Sequence, residues 1–206
     1  MNIEQYETRK QIDEPILRTY QYGSRVYNCH NNDSDYDFIV IVESDKDLYY
    51  SVNFPDSNFT VYSESMFIKR IEEHNISALE CIFQNPSDPY RKYFKLDKAK
   101  LRRSISSIAS NSFGKCGKKL KQGDYYIGKK SLFHSIRILG FGIQIALTGR
   151  IVDYSAYNHY LYRIMETNST DWEVYKKLFK PTFNRMKSNF KNFAPLETDK
   201  DVIDES

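Results

Sequence analysis

Two short clusters in this chain have the residue types and spacing for chemistry. The first is Gly23-Ser24-Arg25, followed after nine residues by Asp35-Tyr36-Asp37, which leads directly into Phe38-Ile39-Val40-Ile41-Val42. Carboxylates at i and i+2 on a strand project from one face with their backbones roughly 6.5–7 Å apart. Their oxygens can converge on Mg²⁺ or Mn²⁺, which favours oxygen ligands and helps to neutralise phosphate groups. Gly23 lets backbone approach a phosphate closely, and the Ser24 hydroxyl and nearby amides can donate to its oxygens. Arg25 either adds positive charge or braces the turn. Taken as structure alone, DSDYD is an acidic surface turn and GSR an ordinary hairpin. A solvent turn, however, has no need for Asp37 to abut a run of buried-strand character.

The second cluster is Lys130, His134 and Arg137, at i, i+4 and i+7 on one helical face. The segment around them is otherwise apolar, and a buried histidine or arginine needs a polar or anionic neighbour. One expected role for them is to hold an anionic ligand such as phosphate. Pairing with carboxylates, or a satisfied core histidine, is the structural alternative. His30 is expected to face solvent. The chain contains no GxSxG, HExxH or Walker-type phosphate loop.

The elements that must position these residues follow from periodicity and punctuation. After a polar N-terminal helix, strands are expected at Ile16–Tyr22, Phe38–Val42 and Phe59–Tyr62. Ser63 is placed to cap a helix beginning near Glu64 and ending at Asn75, and a short helix is expected from Ser77 to Phe83. Beyond Pro86–Pro89 the pattern is helical. Leu101, Ile105, Ile108, Cys116 and Leu120 form a stripe interrupted at Ser112. A largely buried helix is expected over Lys129–Thr148, stopped by Gly149. Two more are expected near Ala156–Met165 and Asp171–Asn192, the second bent or broken at Pro181. The fold class is therefore α/β (α+β), a small mixed sheet with flanking helices followed by a helical domain. The domains are expected at 1–95 and 96–193, with 194–206 a disordered acidic tail. No internal repeat is visible.

Composition limits the rest. The 206 residues are 40% hydrophobic, enough for a core. The longest apolar run, Ile138–Leu147, is about half of what a bilayer requires, and MNIEQYETRK lacks the apolar run of a secretory signal. A cytoplasmic protein with no membrane association is expected. Cys29, Cys81 and Cys116 lie far apart with no CxxC pair, which argues against a zinc site or a disulfide scaffold. The net charge of +3 hides an asymmetry: residues 1–64 carry 12 acids and 5 bases, whereas residues 91–130 carry 13 bases against Asp97 and Asp124. An acidic front half and a basic middle suit a metal site facing a polyanion, though solvated helix faces give the same pattern. Tyr90, Tyr93, Tyr125 and Tyr126 near that basic stretch suit an RNA or tRNA end.

The stretch GSRVYNCHNNDSDYDFIVIV resembles the DNA polymerase β-like nucleotidyltransferase superfamily, whose hallmark is a Gly-Ser turn followed by an Asp-x-Asp strand. NFTVYSESMFIKRIEEHNISALECIFQNP is similar to the strand, helix and Asn-to-Leu-Glu segment of a branch of nucleotidyltransferases, some phage-encoded or associated with RNA repair. GKKSLFHSIRILGFGIQIALTGRIVDYS is similar to that branch's helix with a His-x-x-Arg pair and a Thr-Gly ending. The resemblance covers most of residues 16–155. It implies a Mg²⁺- or Mn²⁺-dependent enzyme that moves a nucleoside monophosphate from a nucleoside triphosphate to an acceptor hydroxyl, releasing pyrophosphate. An RNA end is the favoured acceptor, with a protein or small molecule as alternatives. Catalytic roles fall to Asp35, Asp37 and Ser24, and nucleotide binding to Gly23, Ser24, Arg25, Lys130, His134 and Arg137. Two departures stand out. The superfamily's third carboxylate would fall where this chain has Asn58, with Asp56 or Glu64 as substitutes, and Asn28 stands where the branch often has glycine. Asn58 favours the alternative function, a catalytically degenerate relative that binds nucleotide, RNA or a protein partner as a regulator.

Overall fold

The computed structural model describes residues 12–196. The expected N-terminal helix and most of the acidic tail lie outside them. The chain divides into two compact units, one built from residues 12–72 and 77–94, the other from 73–76 and 95–196.

The first unit is organised around β2 (Tyr36–Val42), whose residues Phe38 to Val42 are all buried. An apolar run of this kind belongs at the centre of a sheet. β2 pairs antiparallel with β1 (Ile16–Tyr22) on one side and parallel with β4 (Ser57–Ser63) on the other. The sheet order is β1-β2-β4-β3, with β3 (Tyr49–Asn53) antiparallel to β4 at the edge. This edge strand was not expected from the sequence. YYSVN alternates exposed and half-buried positions, the pattern of a strand with one solvated face, and it has no strong apolar run to announce it. A tight turn joins it to β4, closed by the Phe54 N–H donating to the Ser57 carbonyl at 2.8 Å.

Alternation along the strands sends Phe38, Val40, Val42, Phe59 and Val61 to one face, with Ile12. Ile39, Ile41 and Tyr62 fall on the other, beneath α1 (Glu64–Glu72), where the Phe67 ring packs 5.6 Å from that of Tyr20 and 6.3 Å from that of Tyr62. α1 stops at Glu72, short of the expected Asn75. His74 adopts a left-handed backbone (φ 58°) that an α-helix cannot continue through. Ser63 directly precedes α1, but its hydroxyl accepts the Leu48 N–H and pairs with the Ser65 hydroxyl. α2 (Ile76–Ile82) follows, and Asp88 caps a single 3₁₀ turn at Pro89–Tyr93 by accepting the Tyr90 N–H.

The second unit is helical: α3 (Lys98–Lys121), α4 (Tyr125–Thr148), α5 (Asn158–Glu166) and α6 (Trp172–Phe193). α3 buries Leu101, Ile105, Cys116 and Leu120 as expected, and Ala109 continues the stripe, with Ile108 half-buried. Gly149 caps α4 with φ 76°. α4 is long and apolar enough to cross a membrane by length and composition, but 72% of that window is buried within the protein, as in a core helix. Of the bend or break expected at Pro181 the break does not occur, and α6 runs on through it. Its buried face, Tyr175, Phe179, Phe183, Met186 and Phe190, continues on both sides of the proline and offsets the lost backbone hydrogen bond. The class expected from the sequence, a small mixed sheet with flanking helices followed by a helical region, is the one observed.

Candidate functional site

The end of the sheet where β1 finishes and β2 and β4 begin brings the first cluster together. Tyr22 pairs with Asp37, and Asp37 with Asn58 on the parallel strand. The Asn58 amide nitrogen donates to Asp35 Oδ2 at 3.4 Å and to Asp37 Oδ1 at 3.2 Å. The two carboxylates therefore converge on one point, and Asn58 occupies the third position around it. A half-turn about its last side-chain bond would present the amide oxygen there instead.

Gly23 is required here twice over. Its φ is +78°, and a Cβ at this position would stand 2.2 Å from Asp37 Oδ2. The 3₁₀ turn Gly23–Arg25 thus lies directly against the Asp37 carboxylate. The half-buried Ser24 side chain makes no hydrogen bond among the described residues, while its carbonyl accepts the Cys29 N–H at 3.0 Å. Arg25 acts as a brace. Its guanidinium donates to the Ser34 carbonyl at 2.7 Å and lies 3.7 Å from the centroid of the Tyr36 ring, fixing the turn to the segment that carries both aspartates.

Asn28 adopts φ 56°. Asparagine is among the few residues that tolerate this left-handed region, so a glycine and an asparagine meet the same backbone demand. His30 is exposed, as expected.

Other residues that support the turn were missed by sequence reasoning. The Tyr27 hydroxyl donates to the buried Glu80 carboxylate at 2.5 Å, and the Tyr22 hydroxyl donates to Ser77 at 3.0 Å. Tyr22 and Tyr27 meet edge to face at 6.2 Å, and the Gln84 amide donates to the Gln21 carbonyl at 3.0 Å. α2 and the residues that follow it thus clamp the end of β1 and the turn in three places, and the Tyr22–Tyr27 ring contact ties the two together. Glu80 lies more than fifty residues from Tyr27 in sequence; a buried glutamate in an apolar helix (ISALECI) was the available signal.

The two proposed substitute carboxylates behave differently. Asp56 stands at the same end of β4, but its side chain is exposed and accepts the Ser57 hydroxyl at 3.1 Å. Glu64 lies beyond the opposite end of β4, where it accepts the Tyr90 hydroxyl at 2.9 Å. No group of three or more His, Cys, Asp or Glu suited to a metal ion forms among the described residues. The set at the sheet end is two carboxylates and one amide. All are hard oxygen donors, and they fit Mg²⁺ or Mn²⁺, which commonly take one or two protein carboxylates and complete their shell with water and phosphate oxygens.

The second cluster belongs to the helical unit. The Arg137 guanidinium is buried and meets His134 Nδ1 at 2.9 Å, so the imidazole accepts and the arginine donates. Burial, and then the charges of Arg137 and Lys115, push His134 down to about 3 from its ordinary 6.5. It is neutral at physiological pH and holds the guanidinium in place. Lys130 is exposed, its ammonium 5.2 Å from the centroid of the Tyr126 ring.

The basic stretch is not uniformly available. Arg102 is buried and reaches the Ala194 carbonyl at 3.5 Å. Tyr90 is buried as well, whereas Tyr125 and Tyr126 are exposed beside Lys130. Cys81 and Cys116 are buried and Cys29 half-buried, all three as free thiols.

No family model matches the chain, and no curated protein matches it. Among solved structures it is similar to a nucleotidyltransferase-like protein from Exiguobacterium sibiricum 255-15, with 10% identity, 92% of this chain and 76% of that chain covered, and a TM-score of 0.37. A superposition that loose carries no argument about the reaction.

Proposed function

We propose that the chain is a metal-dependent nucleotidyltransferase, which transfers a nucleoside monophosphate from a nucleoside triphosphate to an acceptor oxygen with release of pyrophosphate. The supporting observation is the convergence of Asp35 and Asp37 on a single point, 3.4 and 3.2 Å from Asn58 Nδ2, beside a glycine that leaves no room for a side chain against Asp37. Asp35 and Asp37 would hold Mg²⁺ or Mn²⁺, with the Asn58 amide oxygen as a further ligand, and the bound ion supplies neutralisation of the triphosphate charge. Ser24 and the amides of its turn donate to phosphate oxygens, and Gly23 permits their close approach. Arg25, Tyr27 and Glu80 keep the turn and the aspartates in register. In the helical unit, Arg137, oriented by His134, and Lys130 offer charge to a phosphate ligand. The exposed Tyr125 and Tyr126, among the lysines that end α3 and begin α4, suit an RNA or tRNA end.

A second reading, a binding-only regulator that has lost catalysis, is favoured by Asn58 itself. An amide in place of a carboxylate cannot take a proton from an acceptor. Incubation with each α-³²P-labelled nucleoside triphosphate and Mg²⁺ or Mn²⁺, with tRNA, cellular RNA and protein as acceptors, separates the two. Label transferred by the wild type and lost in Asp35→Ala/Asp37→Ala supports transfer. Metal-dependent nucleotide binding without transfer supports the regulator.

A further inference from the structure

The amide at position 58 selects the acceptor's chemistry. An alcohol hydroxyl is far from ionised at neutral pH, so its attack on phosphorus requires a group to receive its proton. In this site the two carboxylates are the proposed metal ligands, and the third position holds an amide with no basicity in this pH range. No further acid or histidine gathers with them among the described residues. Asp56 points to Ser57, and Glu64 is engaged with Tyr90 at the opposite end of the strand.

The same replacement changes the charge. Two carboxylates and an amide carry one negative charge fewer than three carboxylates, which lessens the repulsion of an anionic acceptor.

We infer, resting on the nucleotidyl-transfer reading above, that the acceptor is a phosphate monoester. Its second pKa of about 6 leaves it a dianion at neutral pH, a nucleophile that has no proton to lose. One of its oxygens attacks the α-phosphorus of the nucleoside triphosphate. The new P–O–P bond forms as the bond between the α-phosphorus and its bridging oxygen to the β-phosphate breaks, and that electron pair leaves with pyrophosphate. The product is a phosphoanhydride, in contrast to the phosphodiester that a hydroxyl acceptor would give.

The experiment uses the full chain with Mg²⁺ and each α-³²P-labelled nucleoside triphosphate. The acceptors are a 5′-phosphorylated oligoribonucleotide with a blocked 3′ end, the same oligonucleotide with hydroxyl ends, and a hexose phosphate. Transfer to a phosphate-bearing acceptor is expected to exceed transfer to the hydroxyl-ended one by about tenfold or more, the scale of a missing general base. The product label should be resistant to phosphatase and released by a phosphoanhydride-cleaving pyrophosphatase. The oligonucleotide and hexose phosphate arms distinguish a nucleic-acid end from a small-molecule source. Asn58→Asp is expected to raise hydroxyl transfer and reduce the phosphate preference. Without any triphosphate present, fluorescence anisotropy should show tighter binding of the phosphorylated oligonucleotide by the wild type than by Asn58→Asp. Equal or faster transfer to the hydroxyl-ended acceptor overturns the acceptor assignment and leaves nucleotidyl transfer standing. An unchanged preference in Asn58→Asp overturns the role given to Asn58. If the wild type transfers no label to any acceptor, like Asp35→Ala/Asp37→Ala, nucleotidyl transfer fails and the acceptor inference fails with it.

Discussion

The first unit contains two acidic centres that use the same side chain for opposite purposes. Asp88 is fully buried, and its oxygens are saturated. Arg18 pairs with it at 2.8 Å, the Tyr20 hydroxyl donates to both oxygens at 3.0 Å, and the Tyr90 N–H donates at 2.9 Å. Burial, and then the Asp88 charge, raise the Tyr20 phenol far above its ordinary pKa, so it remains a donor at any physiological pH. Asp35, at the Gly-Ser turn, is exposed, and a long contact to Asn58 marks its convergence with Asp37. A carboxylate buried among donors stabilises a fold; an exposed one such as Asp35, beside Asp37 and the Gly-Ser turn, keeps oxygens within reach of a ligand.

The comparison is broken most easily at Asp88. Asp88→Ala would leave Arg18 without its counter-charge and Tyr20 without its acceptor. The expected cost is about 3 kcal/mol, the lower end for a buried pair because Arg18 keeps a third of its side chain in water. Asp35→Ala should change stability by no more than about 0.5 kcal/mol, as for other exposed positions. Urea unfolding of both variants measures the two costs, and comparable costs would remove the distinction between a structural and a ligand-holding carboxylate.

The helical unit extends the contrast to a part-buried polar pair, Arg137 and His134. His134 is pushed down to about 3 in the folded chain against an ordinary 6.5. With a depressed folded pKa, the unfolded state binds the proton first as pH falls. The stabilising contribution of neutral His134 is therefore complete above pH 6.5 and is lost progressively between 6.5 and about 3. At pH 5 the loss relative to pH 8 should be about 2 kcal/mol, following 1.36 kcal/mol per unit. His134→Gln keeps an acceptor for Arg137 and removes the titration, so its stability should vary less over the same range. A parallel decline in wild type and variant would assign the acid sensitivity to other groups.

Both centres differ in how far the sequence reveals them. The spacing at the open centre is local: Gly23, Asp35 and Asp37 lie within fifteen residues and lead into a strand whose apolar run identifies it as central. α4 and its Gly149 stop are legible for the same reason. Asn58 is singled out only by the resemblance, which puts a third carboxylate just before the Phe59–Tyr62 strand; its position beside Asp37 depends on the parallel pairing of β4 with β2, which the sequence does not announce. The Asp88 centre and the Tyr27–Glu80 support are long-range pairings across 68 and 53 residues, with no periodicity to indicate them. β3 is an edge strand that alternates weakly, and α6 passes through Pro181 because its buried face outweighs a local helix-breaking signal. Asn28 registered as a departure, although its backbone angle shows that it serves the glycine's purpose.

Gly23→Ala tests the open centre from its backbone side. The methyl would have to displace Asp37 Oδ2 from 2.2 Å and also adopt φ +78°. A cost of about 1.5 kcal/mol is expected, within the range for left-handed strain. Label transfer should be lost to a greater degree than stability, because the carboxylate moved is the one proposed to hold the metal. Thermal unfolding and label transfer on the same preparation separate these effects. Full retention of transfer would show that Asp37 need not lie against the turn.

The smallest expected effect is the most specific to the open centre. A ligand that binds the folded chain alone stabilises it by RT ln(1 + [L]/Kd), about 0.4 kcal/mol when its concentration equals its Kd. Titration with Mg²⁺ should therefore raise the wild-type unfolding midpoint slightly at first and then with the logarithm of its concentration above the Kd. The increase should be abolished in Asp35→Asn/Asp37→Asn, whose amides keep the shape but lose the charge. It should persist in a folded Asp88→Ala, because the buried carboxylate takes no part in holding the ion. Loss of the Mg²⁺ effect in Asp88→Ala with retention in the double asparagine variant would reverse the assignment of the two centres. No Mg²⁺ effect in the wild type would place its first encounter with the ion at the nucleotide-bound stage, when phosphate oxygens complete the coordination shell.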